Sequence, residues 1–140
     1  MFSARVDSLF IKVRCVKTVS GLIETSLLVP AHKKLRYKID YINETYPDTV
    51  TPAQAEKMML IKDTYRGYEL LISTARQLQK RSAMQLEQVS RLSAEISKGK
   101  DENMHQYLTF ESQCTDTLNR VLDELIKRSV DLGCKAQNIN

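Results

Sequence analysis

The sequence predicts an all-α protein: an elongated antiparallel helical hairpin of coiled-coil type, followed by a third, C-terminal helix. Three observations carry this. Apolar residues recur at alternating steps of three and four along most of the 140 residues. Residues 53–98 contain no Pro and only one interior Gly, Gly67. No stretch shows the strict two-residue alternation of a half-buried strand.

The elements follow in chain order. Phe2, Val6, Leu9, Val13, Val16, Ser20, Ile23 and Leu27 form the first stripe, with one polar lapse. Pro30 then removes a donor and biases Val29 away from helix, so a kink or break is expected there. Beyond it the stripe resumes one position out of phase, at Leu28, His32, Leu35, Ile39, Ile42 and Tyr46. The first arm is therefore expected over residues 3–45. Pro47-Asp48 stops it and Thr49-Val50 crosses over. Thr51 is a good N-cap, Pro52 suits the first helical position, and Gln54 completes a capping box. The second arm is expected over residues 52–98, with Met58, Ile61, Tyr65, Tyr68, Ile72 and Ala75 in register. Gln79 and Ser82 dilute the stripe before Leu86, Val89, Ser93 and Ile96 continue it. Such a helix is on the order of 70 Å long. A short connection makes the two arms, residues 1–98, an antiparallel hairpin.

Gly99, in "SKGKDEN", is the expected stop of the second arm, and Asp101 the cap of the next helix. That helix is expected over residues 101–133, with Met104, Tyr107, Cys114, Leu118, Val121/Leu122, Leu125, Ser129 and Leu132 on its apolar face. Gly133 closes it, leaving residues 134–140 as a flexible tail. The hairpin is not expected to depend on this third helix.

Composition narrows the function. Three unpaired-looking cysteines, Cys15, Cys114 and Cys134, argue for a reducing compartment rather than a disulfide framework. No apolar run approaches the roughly 18 residues of a membrane span, and Arg5, Asp7 and Lys12 interrupt any signal-peptide core. Charge is uneven: net +3 over residues 1–50, +4 over 51–100 and −3 over 101–140. A total of +4 is too mild to make nucleic acid the expected partner. Lys33, Lys34, Arg36 and Lys38 form the tightest basic cluster, a solvated helix face able to touch an anionic surface. His32 and His105 have no Cys, His or acidic neighbour at metal-ligand spacing, and no glycine-rich phosphate loop is present. No enzyme activity, cofactor or metal is expected.

The stripes are the informative feature. From about Arg81 to Ile96 the second arm runs past what the other arms are expected to cover, and exposed apolar seams seek partners. The expected partner interface comprises Val6, Leu9 and Val13, then Leu35, Ile39 and Ile42. On the second arm it comprises Ile61, Tyr65, Tyr68, Ile72, Leu86, Val89 and Ile96.

"LRYKIDYINETYPD", residues 35–48, followed by "LIKDTYRGYELL", residues 60–71, resembles the smallest, all-helical subunit family of the spindle and kinetochore-associated complex. Tyr37, Lys38, Ile39, Asp40 and Tyr41 match its Tyr-basic-aliphatic-acidic-Tyr segment. Pro47 and Asp48 match its turn, and Ile61, Lys62 and Tyr65 match a segment of its long helix. "VDSLF", residues 6–10, is similar to its opening. The first arm is longer than the family's and contains Pro30. The resemblance implies a non-enzymatic scaffold subunit whose helices intertwine with those of two larger subunits. It implies a hetero-oligomer that dimerises and couples kinetochores to spindle microtubules, with microtubule contact mainly through the partners. The implied location is the cytoplasm, the spindle and the outer kinetochore of mitotic chromosomes. The alternative is a self-contained helical adaptor in vesicle tethering or trafficking.

Overall fold

The computed structural model describes residues 2–45, 51–99 and 103–139; of Phe2 only the backbone is described. The described chain is helical, with no strand. Helix α1 spans Phe2–Ile23, a π-helical turn covers Glu24–Leu28, and α2 spans Val29–Thr45. Helix α3 spans Pro52–Ser97 and α4 spans Met104–Gln137. The expected Pro47-Asp48 stop, the Thr49-Val50 crossover, Tyr46 and the Asp101 cap lie outside the described residues.

Of the kink or break expected at Pro30, the break does not occur. Helix runs without interruption from α1 into α2, and Pro30 sits one residue inside α2. The π turn explains both this and the slipped stripe. Val29 N–H donates to Glu24 O, five residues back instead of four. The wider turn precedes the proline, whose ring has no N–H to donate and would crowd the carbonyl four residues before it in a regular α-helix. It also inserts one residue into the register. The buried series runs Val16, Ser20, Ile23 and then Leu28, a final step of five. Leu27, placed on the first stripe by spacing alone, is 57% exposed.

Local signals act as expected at the start of α3. Gln54 N–H donates to Thr51 Oγ1 at 3.2 Å, and Thr51 N–H to Gln54 Oε1 at 3.0 Å, a reciprocal capping box. Gly99 takes φ +74°, the left-handed conformation that ends helices. Gly133 does not end α4, which continues to Gln137, and Ile139 beyond it is 3% exposed. The flexible tail expected from residue 134 is thus replaced by helix and a buried isoleucine.

The chain divides into two compact units. The first comprises Met1–Gly21 and Arg76–Glu124. Val6 and Leu9 of α1 pack with Val89 and Leu92 of α3 and with Met104 and Leu108 of α4; Phe10 and Ile96 lean on this cluster. Gly21 lies beside Gln79, so α1 and α3 run antiparallel. Gln85 Nε2 donates to Glu111 Oε2, and α4 runs antiparallel to α3 as well. The stretch from Arg81 to Ile96 is therefore covered by the chain's own α1 and α4, contrary to the expectation of an open seam. The unbroken first arm and the 34-residue α4 supply that cover.

The second unit comprises Leu22–Ala75 and Leu125–Asn140. Ile23, Leu28 and Leu35 are buried in it with Ile61, Tyr68, Leu71 and Ile72, joined by Leu125 of α4 and by Ile139 just beyond that helix. The His32 ring stacks on Tyr65, centroids 4.2 Å apart and planes 16° apart. Gly67 approaches Leu132 so closely that a Cβ there would lie 3.1 Å from both methyls. Small and polar residues in the seams leave no unmet hydroxyl. Ser20 donates to Val16 O, Ser82 to Leu78 O and Ser129 to Leu125 O, each at 2.7 Å. Thr64 and Thr115 do the same at 2.8 Å. Each bond returns a buried hydroxyl to its own helix, so a polar lapse avoids the roughly 1–3 kcal/mol penalty of an unsatisfied group.

Candidate functional site

The residues expected to form a partner interface divide by burial. Val6, Leu9, Val13, Leu35, Ile61, Tyr68, Ile72 and Val89 are buried by the chain's own helices. Ile39, Ile42, Tyr65, Leu86 and Ile96 are half-buried. The first group supplies core; only the second offers part of its surface to another molecule.

The basic cluster is split between two faces. Lys34, Tyr37, Lys38 and Tyr41 follow the i, i+3, i+4, i+7 spacing of one helix face. They line an open groove of about 480 Å³ in the second unit, together with Lys57. Its floor is Ile42, Ile61 and Ile139. Tyr37 and Tyr41 are 75% and 64% exposed. No carboxylate is among the described lining residues. Arg36 is not one of the groove's lining residues. Its guanidinium lies 6.0 Å from the Tyr65 ring centroid and pairs with Asp40 at 3.5 Å. A hydrogen bond to Tyr65, then the Asp40 charge, raises its pKa above the ordinary arginine value. Lys33 is exposed.

Charge in the sequence grouped Lys34 and Lys38 with Lys33 and Arg36, and did not bring Tyr37, Tyr41, Lys57 or Ile139 to their face. Lys57 stands four residues before Ile61, a readable signal. Ile139 continues the three-four steps from Leu125 through Ser129, Leu132 and Ala136, a signal hidden behind Gly133.

The two histidines belong to different units. His32 Nε2 is buried without a hydrogen bond, 3.6 Å from Glu69 Oε1. His105 Nδ1 lies 3.5 Å from Arg5 Nη1 in the first unit. Among the described residues no cluster of His, Cys, Asp and Glu could hold a metal ion, and no helix is long and apolar enough to cross a membrane.

A second, smaller groove, of about 320 Å³, lies in the first unit, where Met84, Gln85 and Gln88 of α3 face Cys114, Thr117 and Leu118 of α4. Burial, and then the Glu111 charge, push the Cys114 thiol above its ordinary value. That environment keeps it a thiol rather than a reactive thiolate.

Comparison of the chain with protein-family models, curated proteins and solved structures finds no match.

Proposed function

We propose that the chain is a non-enzymatic scaffold subunit of a helical kinetochore–microtubule coupling complex of the spindle and kinetochore-associated type, acting in chromosome segregation. In this reading it works in the cytoplasm, on the spindle and at the outer kinetochore, bound to other helical subunits and only indirectly to microtubules. The resemblance at residues 35–48 and 60–71 suggests the family. The observation that carries the reading is apolar surface left over once both cores are complete. Ile11, Leu70, Met84 and Phe110 stay 60–68% exposed on helix faces, as positions that meet helices of other subunits would be.

A second reading has its own support. Both units bury their stripes within one chain, which suits a self-contained helical adaptor in tethering or trafficking. Size-exclusion chromatography with light scattering separates the two. The scaffold reading expects the isolated chain to self-associate, and to become monodisperse on co-expression with the two larger subunits of such a complex. A stable monomer that ignores those subunits would sink it in favour of the adaptor.

A further inference from the structure

We propose that the groove between α3 and α4 of the first unit receives a helix of a partner protein, apolar along one stripe and acidic beside it. Two rows of side chains form its walls. On α3, Arg81, Met84, Gln88 and Arg91 follow steps of three, four and three. On α4, Phe110, Cys114 and Thr117 follow steps of four and three. Each spacing keeps a row on one face of its helix. Members of both rows line the open groove of about 320 Å³, above Leu118, and Phe110 stands one turn before Cys114. Helix α1 packs on other positions of the same two helices, Val89 and Leu92, Met104 and Leu108. The unit is thus three helices around a core, with a furrow between two of them left to solvent. A fourth helix laid there completes a bundle.

Shape and charge select this occupant. Rows that repeat every three or four residues mesh with another helix's own three-four stripe, whereas an extended peptide repeats every two. Ten residues from Arg81 to Arg91 give a wall of about 15 Å, nearly three turns. Met84 and Phe110 stand mostly in solvent and would meet the apolar stripe. Lys80, Arg81 and Arg91 are exposed, and none makes an ion pair among the described residues. Glu87 is the acid exposed between them. On α4, Glu111 is held by Gln85, and Asp116, two residues past Cys114, falls on another face. The excess of positive charge favours acidic flanks on the incoming helix. A second copy of this chain fits less well, because α3 against α3 would oppose like charges and the α4 row supplies no acid. The assignment rests on the scaffold reading for the presence of an outside helix; it adds which face receives that helix and what chemistry it carries.

The test is fluorescence anisotropy of the full chain with a labelled three-heptad peptide, (Glu-Ile-Ala-Ala-Leu-Glu-Gln)3. Saturable binding that weakens with added salt is expected, because exposed charges are screened. Replacing the peptide's Glu by Lys, or scrambling its order, is expected to weaken binding at least about fivefold. Arg81→Glu with Arg91→Glu should weaken the acidic peptide similarly and tighten the Lys peptide. Met84→Ala with Phe110→Ala should weaken the acidic peptide as well. All four residues are exposed, and circular dichroism would verify that the variants stay folded. Ile11→Ala, on the exposed side of α1, should leave binding unchanged. No binding, equal binding of the scrambled or Lys peptide, or indifference to both groove variants would each overturn the proposal. Self-association that needs Met84 and Phe110 and excludes the peptide would also overturn it, assigning the groove to a second copy. Failure of the peptide with intact co-assembly on the larger subunits would overturn the groove and leave the scaffold reading standing.

Discussion

Tyr68 illustrates what a single side chain contributes and when it stops contributing. It is 3% exposed, among Ile61, Leu71 and Ile72 of its own helix face. Burial raises its pKa above the ordinary 10.0, because the phenolate would lose its water. The folded state therefore holds this proton more tightly than the unfolded state does. The resulting stability is complete below pH 10.0 and is lost as pH rises through the folded-state value. Tyr68→Phe removes the ionisable group while keeping the ring. Denaturant melts of parent and variant should give stabilities within about 1 kcal/mol of each other at pH 7, the scale of one hydrogen bond. Above pH 10.0 the parent should fall away faster than the variant. Parallel curves across that window would mean the hydroxyl reaches water in the fold. The buried serines and threonines show the complementary case, in which a hydroxyl needs no partner outside its own helix. Ser82 and Ser129 sit where the stripe seemed to lapse, and each bonds to the carbonyl four residues before it.

The π turn at Glu24–Leu28 is an element with two linked causes, a proline and a phase slip in the apolar series. Removing Ser26 would bring Ile23 and Leu28 to ordinary four-residue spacing. With Pro30 retained, however, the ring would meet the carbonyl of a regular α-helix, at a cost of about 3 kcal/mol. Deleting Ser26 alone should therefore lower the melting temperature, and adding Pro30→Ala to the deletion should restore it or raise it above the parent's. A deletion that is harmless beside the intact proline would show that the π turn does not serve to accommodate Pro30. The slip from Leu27 to Leu28 was legible in the sequence as two stripes out of phase, but its cause was not. A proline inside a helix reads locally as a break, and packing on both sides overrides it. The cap at Thr51 and the stop at Gly99 were legible because each is settled within a few residues. The wider buried face of α3 was missed. Thr64, Leu71, Leu78 and Leu92 fall seven or fourteen residues apart and are buried beside the expected a/d stripe. A two-partner template has no place for them, whereas in each unit α3 packs against both the first arm and α4. The groove was half legible for the same reason. The lysines of α2 were grouped by charge, but which residues of α3 and of the chain's end meet them is decided by tertiary packing.

For the molecule as a whole, α4 decides whether the first 98 residues can stand alone. Its sequence is acidic and its joint with α3 carries a helix stop at Gly99, so the hairpin was expected to be independent of it. The cores say otherwise. Met104, Leu108, Leu118 and Leu122 are buried in the first unit, and Leu125 and Ile139 in the second. Each such side chain is worth about 2 kcal/mol of burial, which brings the contribution of α4 and the Ile139 beyond it to the order of 10 kcal/mol. A whole domain is net stable by only about 5–15 kcal/mol. Truncation also uncovers Leu92, which packs with Met104 and Leu108. A chain ending at residue 98 should accordingly lose its cooperative thermal transition and self-associate through the exposed face, as seen by circular dichroism and light scattering. Residual helicity without a sharp melt would be consistent with this outcome, since a helix as long as α3 keeps some helix without tertiary support. A monomeric truncated chain that still unfolds cooperatively would show that α1, α2 and α3 form a complete core, and that α4 is an attachment to it.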